Sequence, residues 1–327
     1  MKVCLTGGNG FLGSHILDGL QNAGIRTALM LRRTADTGFI ARHLKHVDIR
    51  YAELGDADTV EKALRGVEVV IHCAGKTKAL RNSEYEMVNG AGTRSIVTAA
   101  NNRADSIRHL IYISSLAVSG PGTLSRPARE SAPPHPVSIY GRSKWAGEEA
   151  VQQNCRSTWT ILRPAAVYGP RDRDFLKVFK AVKMRFMPLF DNRQRPLSLA
   201  FAPDVAAAVI ACLGQPKALG KIYHVAAAQP SSTEELLRTI AARMGKRPWR
   251  VTLPNRVLYP LGGLQEMLAR FTGRPGILSR DKAREISAPG WVCTTERIAR
   301  DLEFYAPTPL SQGISETLDW YRRQGWL

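Results

Sequence analysis

Thr6-Gly7-Gly8-Asn9-Gly10-Phe11-Leu12-Gly13 joins a short apolar strand, Val3 to Leu5, to the start of an amphipathic helix. The glycines at 7, 10 and 13 keep the G-x-x-G-x-x-G spacing that sets backbone N–H groups and a helix N-terminus against a pyrophosphate. Gly7 permits the tight turn, Gly10 lets the backbone approach the phosphates, and Gly13 lets the helix pack closely on the strand. A glycine-rich turn alone is a weak signal. Its weight comes from following the first strand of the chain, the place a dinucleotide-binding sheet requires. Gly7, Asn9, Gly10, Phe11, Leu12 and Gly13 are therefore expected to meet the dinucleotide.

From that loop outward the chain alternates. Strand-like apolar runs lie at 26–31, 48–54, 67–74, 107–114 and 158–163, with helical patterns at 11–23, 57–64, 82–101 and 140–154. Such an order implies parallel strand pairing with helices on both faces. The expected fold is α/β: a doubly wound parallel sheet of Rossmann type over residues 1–164, with a smaller, mainly helical substrate lobe over 165–327. Segments near 197–225 are expected to return to the sheet. A loop at 120–138 with five prolines interrupts the pattern just before Tyr140, and loops of that length are often functional. Beyond Pro164 the spacing predicts a helix over 174–187, a strand near 197–201, a helix capped by Asp204 and a strand over 221–225. A helix over 233–244 follows, capped by Ser231 or Ser232. Residues 254–271 place Val257, Leu258, Leu261, Leu264, Met267, Leu268 and Phe271 at helical spacing. Core packing is the first reading of that stripe; a substrate-entrance helix, or one resting on a membrane surface, is the second.

The net charge of +18 is uneven: twelve Lys/Arg face four Asp/Glu over 241–300, and nine face three over 163–195. A basic half suits an anionic substrate, an anionic membrane face or nucleic acid. With no aromatic-interleaved basic helix and no RNA-binding signature, no nucleic-acid partner is expected. The five cysteines (4, 73, 155, 212, 293) are scattered and the histidines unclustered, so neither a metal site nor a disulfide framework is expected. No apolar run nears the ~18 residues that span a bilayer. A strand starting at Lys2 leaves no room for a signal peptide. The expected location is cytoplasmic, with membrane association as the alternative.

Tyr140-Gly141-Arg142-Ser143-Lys144 opens a helical pattern with a Y-x-x-x-K spacing. Four residues make about one turn, so phenol and ammonium leave the same face. A phenol of pKa about 10 is a poor acid–base group at neutral pH, and a neighbouring ammonium lowers that value. Tyr140 then exchanges a proton with a carbinol or carbonyl oxygen while a hydride moves, and Lys144 holds the cofactor ribose. Taken alone, the pair also fits a surface Tyr and Lys on any helix. Ser115 follows the strand run 110–114 at the carboxyl edge where open α/β sheets bind ligands. Its hydroxyl can hold the same substrate oxygen.

With these motifs in order, the chain resembles the extended short-chain dehydrogenase/reductase family, of the NAD-dependent epimerase/dehydratase type, over nearly its whole length. Further matches are Val70-Ile71-His72-Cys73-Ala74-Gly75, Asn89-Gly90-Ala91-Gly92-Thr93, Leu110-Ile111-Tyr112-Ile113-Ser114-Ser115, Leu162-Arg163-Pro164 through Val167-Tyr168-Gly169-Pro170, and Asp204-Val205. The resemblance implies Ser115, Tyr140 and Lys144 as the catalytic triad. It implies Cys73, Ala74 and Gly75 along the adenosine and ribose, and Pro164, Ala166 and Val167 along the nicotinamide. Asn89 is similar to the family's helix asparagine, with Gly90 where valine is usual, and a structural kink is its expected role. Family members are often dimers packed through the helices that here bear Asn89 and Tyr140, so a homodimer is an expected state.

NAD-preferring members of the family end the second strand with an acid. Leu31 stands there, followed by Arg32 and Arg33, whose guanidinium groups suit a 2′-phosphate. NADP is expected over NAD. Glu53, in place of the usual Asp, and Leu54 are expected beside the adenine. Nucleotide-sugar 4,6-dehydratases resemble one another in an Asp-Glu pair after the hydroxyl residue; Leu116-Ala117 here cannot shuttle protons. Nucleotide-sugar epimerases carry an arginine seven residues before the Asp of the Asp-Val pair. Leu197 stands there, with Arg193 and Arg195 near. Ser114 through Pro121 is similar to the corresponding segment of 3β-hydroxysteroid dehydrogenases, and dihydroflavonol-reductase-like enzymes form a neighbouring group. The expected activity is NAD(P)-dependent interconversion of a secondary alcohol and ketone on a largely apolar small molecule. Sterol-like 3-hydroxyls lead, with decarboxylation where the product is a β-keto acid. The alternatives are a nucleotide-sugar epimerase with tightly held NAD and a non-catalytic dinucleotide sensor.

Overall fold

Short strands that are apolar on both faces belong in the middle of a parallel sheet covered twice. In the computed structural model, which describes residues 1–191, 195–272, 276 and 278–327, seven such strands pair in one sheet. Their order is Lys221–Val225, Thr158–Pro164, His109–Ile113, Val69–His72, Lys2–Thr6, Arg26–Leu31, Asp48–Tyr51, and every pairing is parallel. Strand order reverses between Lys2–Thr6 and Val69–His72. Loops leaving those two carboxyl ends diverge and open a crevice there.

Alternation along the strands feeds two cores. Val3 and Leu5 pack with Ile16, Leu17 and Leu20 of the helix Phe11–Asn22, and with Val205 and Val209 of the helix Ala202–Ala211. Cys4 points the other way, into a core with Ile96, Val97 and Val151. Each fully buried Leu, Ile or Val contributes about 1.5–3 kcal/mol. A third core joins the helices Phe175–Lys183, Thr233–Met244 and Leu310–Arg323 around Phe179, Leu237, Ile240 and Tyr321. Paired strands Phe186–Phe190 and Trp249–Leu253 flank it. Cys293 and Ile298, late in the chain, come back to the sheet's own core.

Several elements differ from the sequence reading. The strands expected over 48–54 and 67–74 shorten to Asp48–Tyr51 and Val69–His72. The expected helix over 82–101 is α-helical over Asn82–Tyr85 and Gly92–Asn101 but π-helical between, over Glu86–Ala91. Buried Asn89 sits in that bulge: its amide donates to the Lys76 carbonyl and to Ser143 Oγ, each at 2.9 Å, while its oxygen accepts the Lys76 N–H at 2.8 Å. A π-bulge re-aims a side chain in this way, so the kink is real. The helix expected over 174–187 stops at Lys183, and Phe186 begins a strand. The strand near 197–201 divides into Pro196–Leu197 and Leu199–Phe201. Asp204 is not a cap: the helix starts at Ala202, and the carboxylate accepts the Thr308 N–H and hydroxyl at 3.2 and 2.7 Å. Ser232 does cap, accepting the Glu235 N–H at 3.1 Å.

The apolar stripe over 254–271 forms the helix Leu258–Thr272, but core packing is the wrong reading of it. Leu258 is buried, whereas Leu261, Leu264, Met267, Leu268 and Phe271 are exposed, Phe271 at 83 %. Periodicity reports one-sidedness and does not say which side faces in. Among the described residues no helix is long and apolar enough to cross a membrane.

Candidate active site

The glycine loop is built as its spacing demands. Gly7 has φ +68°, and a Cβ there would lie 2.6 Å from the Ala74 amide nitrogen. A Cβ on Gly13 would lie 2.0 Å from the Gly7 carbonyl oxygen. Both positions exclude any side chain. The Gly10 N–H donates to the Gly7 carbonyl at 3.0 Å. The helix Phe11–Asn22 begins with no side-chain cap and no acid in its first turn. Its amide end is left for an anion, which fits a dinucleotide pyrophosphate.

Neighbouring strand ends are locked together behind that loop. Thr93 Oγ1 gives its one proton to the Asn89 carbonyl at 2.6 Å, so at 3.1 Å it must accept from His72 Nε2–H. His72 Nδ1 then accepts from the Thr6 hydroxyl at 2.8 Å, and Thr6 Oγ1 accepts the Ala74 N–H at 3.1 Å. Burial holds the His72 pKa at about 3, which keeps this relay neutral. Cys73, Ala74 and Gly75 leave this strand into the crevice, and a Cβ on Gly75 would stand 3.1 Å from Asn89 Oδ1. Arg32 and Arg33 are exposed at the end of Arg26–Leu31, the Arg33 guanidinium 5.0 Å from the Tyr51 ring centre. Glu53 is exposed and Leu54 half-buried after the edge strand.

Ser115 starts a single 3₁₀ turn, Leu116–Val118, its hydroxyl oxygen accepting the Ala117 N–H at 3.2 Å. The helix Ile139–Asn154 carries Tyr140 and Lys144. Gly141 sets its approach, since a Cβ there would be 2.7 Å from the Ala117 carbonyl oxygen. That contact brings Tyr140 into hydrogen-bond reach of Ser115, and the two line one cavity with Ala166 and Val167. Pro164, by contrast, ends a strand as a buried residue.

The phenol differs from expectation. Burial pushes Tyr140 up to about 12, against the Ser115 hydrogen bond, which lowers it. Lys144, 4 % exposed, donates to the Ile113 carbonyl at 2.7 Å and lies 4.2 Å from the Tyr112 ring centre. Its ammonium is committed to that carbonyl and ring, and Lys144 is not among the groups that shift the phenol. Burial lowers Lys144 itself to about 8.

Three participants escaped the sequence reading. Asp281, from the helix Arg280–Ser287, accepts the Ile139 N–H at 2.8 and 2.9 Å and the Tyr140 N–H at 3.4 Å. It caps the tyrosine helix beside that helix's own cap, Ser138, which accepts the Gly141 N–H at 3.0 Å. No local signal could reveal a partner so distant in the chain. Glu148 and Arg163 form a bidentate pair at 2.8 and 2.6 Å with both side chains almost wholly buried. Ser114 donates to the same carboxylate at 2.5 Å. Arg163 continues to Ser119 at 2.9 Å, and Ser119 to His224 Nε2 at 2.8 Å. Only Leu162-Arg163-Pro164 hinted at this network.

The cavity measures about 1300 Å³, more than a drug-sized ligand needs. Its far wall comes from late segments, including Leu189, Phe190, Ala269, Leu278 and Trp291. Arg195 also lines it, bonded to the Ile286 carbonyl and 3.3 Å from Asp191. Arg193 lies outside the described residues.

The NAD dependent epimerase/dehydratase family model matches residues 3–226. The chain is 32 % identical over 327 residues to the ceramide reductase of Caulobacter vibrioides, covering 99 % of this chain and 96 % of that protein. It is 26 % identical to the 3β-hydroxysteroid-dehydrogenase/decarboxylase isoform 2 of Arabidopsis thaliana, covering 96 % of this chain and 61 % of that one. The UDP-glucose 4-epimerase of Thermotoga maritima superposes with a TM-score of 0.80 at 17 % identity, over 99 % of both chains. That last likeness is one of fold.

Proposed function

Since the chain belongs to the NAD dependent epimerase/dehydratase family and is an NAD(P)-dependent enzyme of the extended short-chain type, we propose that it reduces the ketone of a long-chain lipid, ceramide-like in class, to the secondary alcohol. What carries this reading is the Ser115–Tyr140 pair facing a cavity of about 1300 Å³. Its far wall mixes apolar residues such as Leu189, Phe190, Leu278 and Trp291 with charged ones such as Arg250, Arg280 and Arg284, a lining that suits a long apolar chain with a polar head. Full-length likeness to a ceramide reductase supports it. The cofactor nicotinamide supplies the hydride when bound. Ser115 and Tyr140 hold the carbonyl oxygen by two hydroxyl donors. Burial keeps Tyr140 protonated, as a donor to the carbonyl oxygen must be, and the positive charge of the bound nicotinamide product would ease the loss of that proton. Lys144, anchored on the Ile113 carbonyl, would hold the cofactor ribose. Arg32 and Arg33, exposed at the second strand's end, favour NADP over NAD. Sterol 3-ketones are competing substrates in this direction; in the reverse direction, oxidation of a sterol 3-alcohol by NAD(P)+ yields a ketone, and a carboxylate β to that ketone would then leave as CO2. Epimerisation of a nucleotide sugar is the second reading, favoured by Arg195 in the cavity.

Purified protein with NADPH, NADH and a keto-ceramide tests these readings. Net NADPH oxidation is expected, lost by about 10²–10⁴-fold in kcat/KM on Tyr140→Phe. Sugar inversion without net cofactor change would overturn the reductase. Equal or better efficiency with NADH would overturn the role of Arg32 and Arg33.

A further inference from the structure

The helix Leu258–Thr272 is amphipathic in the inverted sense. At ~100° per residue, Leu261, Leu264, Met267, Leu268 and Phe271 fall within an arc of about 120°, and that arc faces solvent, with Leu264 at 50 % and Phe271 at 83 % exposure. The opposite arc holds Leu258 and Ala269, both buried. Ala269 and Glu266 line the cavity that contains Ser115 and Tyr140. One helix is thus both a wall of the cavity and an exposed apolar ridge, and a contiguous ridge of this kind marks an interaction site.

Exposed cations stand on the neighbouring elements, three of them (Arg280, Lys282 and Arg284) also at the cavity's edge. Arg256 stands in the turn Asn255–Val257 before the helix, and Arg280, Lys282 and Arg284 are exposed on the helix Arg280–Ser287 packed against it. Arg280 lies over Gly263, its guanidinium 3.0 Å from where a Cβ would be. Arg280 reaches Glu266 at 3.9 Å and Lys282 pairs with Glu285 at 2.7 Å. Arg256 and Arg284 have no carboxylate partner among the described residues. The wider segment 241–300 carries twelve basic against four acidic residues.

We propose that this ridge docks on an anionic lipid bilayer, with Leu264, Leu268 and Phe271 entering the headgroup boundary and the flanking cations meeting lipid phosphates, so that a lipid substrate passes over the helix into the cavity. An exposed apolar ridge in a segment with so large an excess of cations is matched in charge to an anionic lipid interface. The delivery step rests on the lipid-ketone reading of the same cavity. The docking itself does not.

Flotation of the full-length protein with phosphatidylcholine vesicles, with and without phosphatidylglycerol, tests the docking without any substrate. The protein is expected to float with the anionic vesicles only, and to be released as salt rises. Leu264→Glu combined with Phe271→Glu should cut binding about tenfold or more, and Arg256→Glu severalfold. Turnover of a water-soluble short-chain ketone should be the same in wild type and double variant; turnover of vesicle-borne substrate should fall through KM. Wild type that never floats, or a double variant that floats as well, overturns the proposal. So does light scattering that shows a dimer dissolved by the same double variant without vesicle binding, because the ridge then belongs to a second copy. If docking holds while no ketone is turned over, the reductase reading fails and the surface stands.

Discussion

The carboxyl edge of the sheet and the wall that faces it follow opposite rules. At the edge, charges are buried and paired: Glu148 with Arg163, and Lys144 on a carbonyl and an aromatic ring. At the wall, large apolar side chains stand in solvent and the cations around them are exposed. Buried charges tolerate no slack, because each lost partner leaves an uncompensated ion in low dielectric. An exposed apolar ridge tolerates a great deal, since little of its surface was removed from water. The edge is therefore a rigid frame for chemistry, and the wall a surface free to adapt to what it contacts.

The sharpest way to break this contrast is Glu148→Leu. Stranding the Arg163 guanidinium should cost about 3–5 kcal/mol in urea unfolding, and adding Arg163→Leu should recover much of it. A single substitution costing under ~1 kcal/mol would mean that the edge is not held by its buried charges.

Acid should loosen the edge before the wall. Burial lowers His15 and His109 to about 4, and His72 and His224 to about 3. Each folded pKa lies below the unfolded value, so the stabilisation is complete above about pH 6.5 and is lost as pH falls toward those values. Each histidine adds up to ~1.4 kcal/mol per pH unit in that window. All seven histidines precede Val225. Hydrogen exchange at pH 5 should therefore speed up in the sheet first; a uniform increase would count against the contrast.

Asp281 is where the two regions touch, and its loss is a smaller effect. Asp281→Ala removes one of two caps on the tyrosine helix and should cost about 1 kcal/mol of stability. Loss of Tyr140 alignment should also lower kcat/KM by roughly tenfold, read beside a thermal melt. Smallest of all, Leu264→Ser should change stability by no more than about 0.5 kcal/mol. A loss of core-leucine size would show that the ridge is packed after all.

Legibility divides along the same line. Gly7 and Gly13 could be read in advance because steric exclusion permits only glycine there. Y-x-x-x-K could be read because one helical turn fixes its geometry. The relation of Lys144 to Tyr140 was misread: spacing gives a shared face, but the Ile113 carbonyl decides where the ammonium ends. Asp281 and the Glu148–Arg163 pair were invisible, being contacts between segments that no local pattern links. The helix Leu258–Thr272 was legible as a helix and not as exposed, since apolar spacing is the same for a stripe turned inward or outward.

Sheet closure by Lys221–Val225 beside Thr158–Pro164 has a consequence for biosynthesis. A ribosome releases the inner strand first and must add the whole intervening stretch before its outer neighbour exists. At translation speeds this leaves a bare row of peptide groups for on the order of seconds. Such a row invites pairing with another nascent copy, so the chain is exposed to mispairing until that outer strand has been made.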